Sequence, residues 1–531
     1  MTSPSVTFFA RSGVAPSMVD ARAYHERTKH SPRSVREDDF SLDHDNRPRP
    51  VKVYEGLPRE SLSTVRPPQA PTLSVVAETA ADPLSRTEQS PRATPDRETL
   101  ATLCYAANGV VESIERQGRT VRFRAASCTG KLYHVDLYLV CGDCDGLRAG
   151  VYHFDPATFS LDVVRKGDYR GVLADATGGY ESVADAPVTA VATSTWWRNA
   201  WKYRERTYRH AFWDSGTVLA NLLGAAHALD YRAEAVAGFD DGAVAELVGV
   251  DPEDEAPLEL VPIGRGAPTP PSTPVDPIAS DETPLSSDPV DYPLLYDAWE
   301  QSALPDGDAA REWRDRSDDA RGAGTRAAGD GERVPLEPVD HETASARPFH
   351  ATVRRRGSCR EFDPETGPTH RQVGTVLDRA TRGVPGDWNG GAADGLAFND
   401  AYVLAAGVDG VPDGTYQFLP ETAELEQLGG VDRRTKRHLA LDQSWAGDAH
   451  VNVYLLADAD EPVDRLGNRG YRLAQLEAGV TLGRLYLATY AHRDLGGTGL
   501  TFYDDAVTDH LSPRAAGQTP TCLFAFGRRD G

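Results

Sequence analysis

With 531 residues the chain has length for roughly two to four domains, and its 40% apolar and 26% charged residues are those of a folded globular protein, while 37 prolines and 48 glycines imply long stretches outside any core. Eighty acids against 56 bases leave a formal net charge of −24, which repels phosphate backbones and anionic lipid and argues against sequence-independent nucleic-acid binding and membrane-surface attachment. Six cysteines are too few for a disulfide scaffold, no apolar run approaches the ~18 residues of a membrane span, and no basic-then-apolar signal segment opens the sequence, so a soluble, cytoplasmic protein is expected.

In chain order, residues 1–20 read as a tail and 21–265 as a first domain, within which 66–95 is a spacer poor in apolar residues, expected to be a mobile insertion. Apolar periodicity predicts a helix over 97–107, a strand over 135–140, a hairpin strand through Tyr152 and Phe154, a polar helix over 169–176, a strand over 188–193, a long apolar helix over 209–229 and a last strand around Val261. Residues 266–340 read as linker, since 262–293 is rich in Pro, Ser, Thr and Asp and 307–340 in Asp, Arg, Gly and Ala, although the aromatics of 292–299 and Trp313 offer something to dock. The second domain, 341–531, repeats the series, with helices over 370–381, 433–441 and 472–492 and strands over 401–406, 451–457 and around Leu523.

The repetition is literal in places. Gly146, Gly150, Tyr152, Phe154 and Pro156 return as Gly410, Gly414, Tyr416, Phe418 and Pro420, each displaced by 264 positions. Tyr208, Arg209, Ala211, Asp214 and Gly216 face Tyr471, Arg472, Ala474, Glu477 and Gly479 at nearly the same displacement, and Phe239, Asp240 and Asp241 face Tyr503, Asp504 and Asp505. A tandem duplication follows. Helices and strands mix without regular βαβ alternation or a G-x-G-x-x-G turn, so the fold class is α+β. Two copies of one domain in one chain reproduce a two-fold dimer covalently, an intramolecular pseudo-dimer.

Three constellations carry chemistry. Arg354, Arg355, Arg356, Gly357, Ser358, Cys359 and Arg360 combine guanidinium forks, a hydroxyl and a glycine turn, the ingredients of a clamp for a dianionic phosphate; the alternative is a basic run at the linker edge paired with surface carboxylates. Arg124, Ala125, Ala126, Ser127, Cys128, Thr129, Gly130 and Lys131 let backbone approach a planar ligand while Ser127, Thr129 and Lys131 supply directional contacts; an ordinary loop reads the same. Lys202 beside Tyr203, among cations expected to lower both pKa values, is suited to moving a proton near neutral pH. The duplicate has Arg465 and Leu466 there, so the shared fold does not demand the pair; a solvated helix entry is the alternative.

Weaker signals are Gly496, Gly497, Thr498 and Gly499, expected as a flexible turn after the second long helix, and Ser215, which sits inside an apolar helix and is not expected to be a nucleophile. Cys141 and Cys144 have no second pair at ligand spacing, so no metal site is expected. Only six lysines accompany fifty arginines. That pattern with acid excess resembles the composition of an extreme halophile, a GC-rich genome with a solubilising surface being the alternative.

Together, Tyr24-His-Glu-Arg-Thr-Lys-His30-Ser-Pro-Arg-Ser34-Val-Arg36, the segment from Arg124 to Tyr133, Gly150-Val-Tyr-His-Phe-Asp-Pro156, Trp201-Lys-Tyr203 and Gly497-Thr-Gly-Leu-Thr-Phe-Tyr-Asp-Asp505 resemble the SagB-type dehydrogenase branch of the nitroreductase superfamily, spacers apart. The resemblance implies an FMN-dependent oxidoreductase with the flavin between two nitroreductase-like domains. It puts the flavin phosphate on Arg356, Ser358 and Arg360 with Arg355 adjoining, and covers the ring with Ala126, Ser127, Thr129, Gly130 and Lys131. It sets Gly496, Gly497 and Thr498 beside the ring, and gives proton transfer to Lys202 and Tyr203, with Lys131 or Arg124 steadying negative charge on the flavin. The first copy has no arginine clamp and the second has 386–393 where the Ser-Gly loop belongs, so one complete flavin site is expected. Three departures are His134 where the family loop closes with proline, residues 230–235 in place of a glycine-rich turn, and Cys128 in place of a small residue.

The implied reaction is hydride transfer between flavin N5 and a small-molecule or peptide substrate, as in azoline oxidation. The alternatives are an NAD(P)H-dependent nitro or quinone reductase, in which the nicotinamide binds transiently for want of a dinucleotide fingerprint, and a flavin-less scaffold for a peptide-modifying complex. No nucleic-acid or membrane partner is expected.

Overall fold

The computed structural model describes residues 19–82, 93–116, 118–278, 282–318, 326–340, 347–388 and 395–530. Two antiparallel sheets organise it. The first takes β1 (Arg59–Ser61), β4 (Val135–Cys141), β5 (Gly150–Asp155), β6 (Ser160–Lys166), β7 (Val188–Thr195) and β8 (Glu255–Ile263), in the order β1-β6-β5-β4-β7-β8; β2 (Val110–Arg116) and β3 (Arg119–Arg124) form a separate hairpin. The second takes β9 (Arg333–Pro335), β10 (Asn399–Ala405), β11 (Gly414–Leu419), β12 (Glu424–Gly429), β13 (Val451–Asp458), β14 (Leu495–Leu500) and β15 (Gln518–Arg528), in the order β14-β15-β13-β10-β11-β12-β9. From β8 to β1 and from β15 to β9 the two orders coincide, so the repeat seen in the sequence is a repeat of topology. β4 and β7 are buried along their whole length, as strands covered on both faces must be.

Two long helices, Thr207–Ala228 and Asn468–Ala491, cross at the centre and are buried over nearly every turn. Their crossing is backbone on backbone. A Cβ on Gly216 would lie 2.4 Å from the carbonyl carbon of Gly479, and one on Gly479 would lie 2.4 Å from the Phe212 carbonyl oxygen, so glycine at both duplicated positions is a packing requirement. The equivalent helices Arg97–Asn108 and His370–Thr381 each start on a side-chain cap, Asp96 accepting from Thr99 N and Thr369 from Gln372 N.

The halves also exchange residues. In the segment expected as a mobile insertion, Thr72–Val75 is a short buried helix, and its Leu73 lies in the core of the second half. Phe349, on helix Phe349–Arg355, lies in the core of the first, against Gly224. Thr72 Oγ1 and Thr352 Oγ1 meet at 2.7 Å between them. The N-terminal helix Ala21–Arg27 leans on the second half, its Ala21 N donating to Asn468 Oδ1 at 2.9 Å and His25 Nε2 lying 2.8 Å from Thr519 Oγ1. The segment expected as linker carries two helices, Pro293–Glu300 and Gly307–Asp318, with Leu295, Ala298, Trp299 and Trp313 buried, and supplies edge strand β9. Its aromatics explain the difference, because a few large apolar side chains can anchor a segment that is otherwise polar. No helix among the described residues is long and apolar enough to cross a membrane.

Candidate active site

A cleft of about 890 Å³ opens where the start of the first long helix faces β14 and β15 of the other half, a volume in the range of cofactor and ligand pockets. Its floor is the first long helix, which with the turn before it contributes Arg206, His210, Trp213 and Asp214. Asp214 fixes the loop above it: its carboxylate accepts from Thr129 N at 2.9 Å, Thr129 Oγ1 at 2.9 Å and Cys128 Sγ at 3.1 Å, and meets His134 Nε2 at 2.8 Å. Thr217 Oγ1 adds a bond to the Ser127 carbonyl at 2.7 Å. The loop then turns through left-handed backbone at Gly130, Lys131 and Tyr133, and Gly130 lies against the Tyr203 ring, where a Cβ would come within 2.8 Å of the hydroxyl.

Cys128, His134 and Asp214 place one ligand-type atom each within 4.8 Å of one another. All three are committed, His134 Nδ1 to Ser194 Oγ at 2.8 Å and Cys128 Sγ to accepting from Tyr133 N at 3.0 Å. Two departures from the family pattern, Cys128 and His134, thus meet on one carboxylate.

Of the residues expected to form the site, Ser127, Thr129, Gly130, Lys131, Lys202, Tyr203, Ser358, Arg360 and Thr498 line the cleft together, drawn from both halves of the chain. Arg360 lies with its guanidinium 4.7 Å from the Trp445 ring centroid. Arg356 is engaged elsewhere, donating to the carbonyls of Ala125 at 2.8 Å, Arg124 at 2.9 Å and Ala126 at 3.2 Å, so it ties the arginine segment to the opposing loop. Arg355 caps the second long helix through the carbonyls of Tyr490, His492 and Arg493. Arg124 and Ala126 are buried behind the wall, with Arg124 donating to the Pro50 carbonyl at 2.7 Å. Residues 389–393 of the second copy's loop lie outside the described residues.

Two expectations need correction. Gly496, Gly497 and Thr498 are not a turn but part of β14, paired with Gly527, Phe526 and Ala525. Their glycines serve close packing, since a Cβ on Gly496 would meet Cys359 at 2.8 Å, and Cys359 N donates to the Gly497 carbonyl at 3.1 Å. The pKa values of Lys202 and Tyr203 also move apart. Lys202 is lowered by partial burial and by Arg47 and Arg360, whereas Tyr203 is pushed up by burial and by the neighbouring Asp214 and Cys128.

Sequence reasoning did not single out Asp214, His210, Trp445 or Tyr486 as cleft residues. Asp214 had left a signal, an acid at the same place in both long helices: Glu477 accepts from Ala397 N at 2.6 Å and Phe398 N at 3.0 Å, the same loop-anchoring task. Asp504 joins three segments, ion-paired with Arg206 at 3.1 Å and Arg209 at 2.8 Å and accepting from His30 N at 2.7 Å. Burial acts to raise its pKa, but the two guanidiniums hold it far below the usual carboxylate range. The strap of residues 27–40 is thereby set along the cleft, with Val35 and Phe40 among its exposed apolar side chains. Three of the six lysines, Lys29, Lys131 and Lys202, line this one cleft.

The pseudo-symmetric position is filled. Ala233 and Val236 bridge to Ile263 and Leu260 much as Gly497 and Leu500 pair with Phe526 and Leu523. Against this stretch the Asp387 carboxylate accepts from Ala237 N and Gly238 N, each at 2.9 Å, while Arg314 donates to the Gly238 carbonyl at 2.7 Å, and Trp313 and Trp388 are buried alongside.

Residues 90–265 match the Nitroreductase family model. Among curated proteins, the chain is 27% identical over 134 residues to the microcin B17-processing protein McbC of Escherichia coli, an alignment covering 24% of this chain and about half (49%) of that relative. Among solved structures, a candidate nitroreductase from Anabaena variabilis ATCC 29413 superposes with a TM-score of 0.74 at 24% identity, covering 96% of this chain and 99% of that one. Residues 90–265 are thus a nitroreductase-family domain, and the superposition over the whole chain shows the nitroreductase fold in both halves.

Proposed function

We propose that the protein is an FMN-dependent oxidoreductase of the azoline-dehydrogenase kind, acting on a small molecule or peptide. One observation carries the reading: a single cleft joins the Ser127 to Lys131 loop of one half to Ser358 and Arg360 of the other, with Lys202 and Tyr203 on its wall. The donor set suits a flavin mononucleotide. Arg360 has no carboxylate partner among the described residues and, with the Ser358 hydroxyl, is suited to the phosphate. The loop pinned on Asp214 would back the ring, and Lys131 would face its electron-rich edge. When bound, FMN would supply the two-electron redox chemistry.

The remaining tasks belong to the chain itself. Tyr203, pushed up in pKa, keeps its hydroxyl proton and can donate it. Lys202, exposed on the cleft wall, orients anionic groups of the substrate. The strap of residues 27–40 shields the cleft from water. The relative named for processing microcin B17 supports a related substrate class.

Protein purified in concentrated salt is expected to absorb near ~450 nm with about one flavin per chain, and Arg360→Ala is expected to release it, while Lys202→Ala keeps flavin and loses turnover. Colourless protein that takes up no FMN would favour the scaffold alternative, and turnover of quinone or nitro probes with NAD(P)H but not of azolines would favour the reductase.

A further inference from the structure

The proton inventory of the cleft is incomplete. Tyr203 retains its proton, and Lys202 stands exposed on the wall; a reaction that breaks an acidic C–H bond needs a neutral base held near the reacting carbon. His210 has the required placement. It projects from the first long helix into the cleft lining, 2% exposed, with its ring edge-to-face against Tyr203 at a centroid distance of 4.6 Å and tilted against Trp213 at 5.0 Å. Its Nδ1 lies 3.0 Å from Asn199 Oδ1, an oxygen that also accepts from Thr207 Oγ1 at 2.9 Å. With Asn199 presenting Oδ1, Nδ1 carries the proton and Nε2 the lone pair, and Nε2 has no hydrogen-bond partner among the described residues. The duplicate helix has buried Leu473 at the matching position, so the shared fold does not require histidine there.

We propose that His210 is a catalytic base of this cleft, taking the substrate's acidic proton at Nε2. Its surroundings keep it neutral: burial comes first, then the positive Arg206 and Arg209 beside it on the chain, together with His134 from the loop and His30 from the strap. Asp214, one turn along the helix, is occupied by the loop. The inference rests on the reading above for its electron acceptor. In azoline oxidation the C–H bond next to the ring C=N breaks, its proton goes to Nε2 and its electron pair forms the new C=C bond. The neighbouring carbon would give up a hydride, for which bound FMN would supply the acceptor, so the substrate loses one proton and one hydride, the hydride carrying both electrons. The imidazolium then returns its proton to water through the cleft.

Two measurements test this independently. In protein labelled with ¹⁵N-histidine, compared with His210→Gln for assignment, the His210 ring is expected to be neutral and protonated on Nδ1 at about pH 7; a charged ring, or a proton on Nε2, overturns the proposal whether or not flavin is bound. With 2-phenylthiazoline as probe, His210→Gln is expected to keep the flavin absorbance, the melting temperature and KM while kcat falls ~10²–10³-fold, and imidazole added to His210→Ala is expected to restore ~10-fold of the loss. Undiminished kcat in His210→Gln, or no rescue of a folded, yellow His210→Ala, overturns it. Wild type without flavin or without thiazoline turnover would instead overturn the function proposed above, leaving the ring nitrogens to decide on His210.

Discussion

The two faces of the central helix crossing began as copies and have diverged in opposite senses. On one, β14 and β15 stand back from the Ser127 to Lys131 loop and a cleft of about 890 Å³ lies between. On the other, the equivalent stretch through Ala237 and Gly238 is covered by Asp387, Trp388, Trp313 and Arg314. A symmetric homodimer must keep both faces alike. A fused pair is free to keep one as a site and fill the other as core, and this chain recruited part of its inter-domain segment, helix Gly307–Asp318, as filler.

That contrast is sharpest at the two carboxylates that anchor the loops. Asp214→Ala strips the loop of its acceptor and leaves Thr129 N and Thr129 Oγ1 unpaired; we expect loss of flavin, a drop in turnover of more than ~100-fold and ~3–5 kcal/mol of stability. Flavin titration and denaturant melts check both effects, with Glu477→Ala as the control expected to lose stability yet retain flavin. If both variants kept flavin equally, the functional asymmetry would fail.

Smaller in effect is a carboxyl left over on the filled face. Glu259 pairs in the sheet with Ala192 as cleft-lining Cys522 pairs with Leu455, and is fully buried, with the Ser215 hydroxyl as the one group that acts to lower its pKa. Burial raises its pKa to about 8. A raised acid pKa favours the protonated folded state, so this position is tolerated below the carboxyl's ordinary pKa and becomes increasingly destabilising as pH climbs to about 8. Glu259→Gln should therefore be nearly neutral at about pH 4 and stabilising by ~2–4 kcal/mol at about pH 9, read from urea melts at the two pH values.

The smallest change is expected at the plug itself. Asp387→Ala removes the acceptor of two backbone N–H groups and should lower stability by ~1–3 kcal/mol with flavin stoichiometry unchanged. Measured stoichiometry rising toward two flavins per chain would show that the plug is what keeps the second face closed.

Much of this was legible in the sequence because duplication writes itself as a constant displacement: Tyr152 and Phe154 against Tyr416 and Phe418 announced matched strands, and the long apolar helices declared themselves by length. What escaped was whatever depended on partners distant in sequence. Gly496 and Gly497 looked like a turn since glycine disfavours strands locally, but the close approach of Cys359 to Gly496 and of Phe524 and Phe526 to Gly497 requires them in β14. Arg355 and Arg356 looked like anion ligands, and only the fold reveals the carbonyls they serve. Asp214 was hidden by its apolar helix, and Thr72–Val75 by the polar sequence around it, although Leu73 completes the core of the other half of the chain.

The scarcity of lysine has a practical corollary. Lys52 and Lys436 are buried and Lys29 is held between Glu26 and Asp505, which leaves Lys131, Lys166 and Lys202 as the exposed side-chain amines among the described residues. Two of those three stand at the cleft. An acylating dye or cross-linker aimed at primary amines, on most proteins an indiscriminate coating, becomes here something near an affinity label, and tethering the protein to a support by its amines would block the entrance it was meant to present.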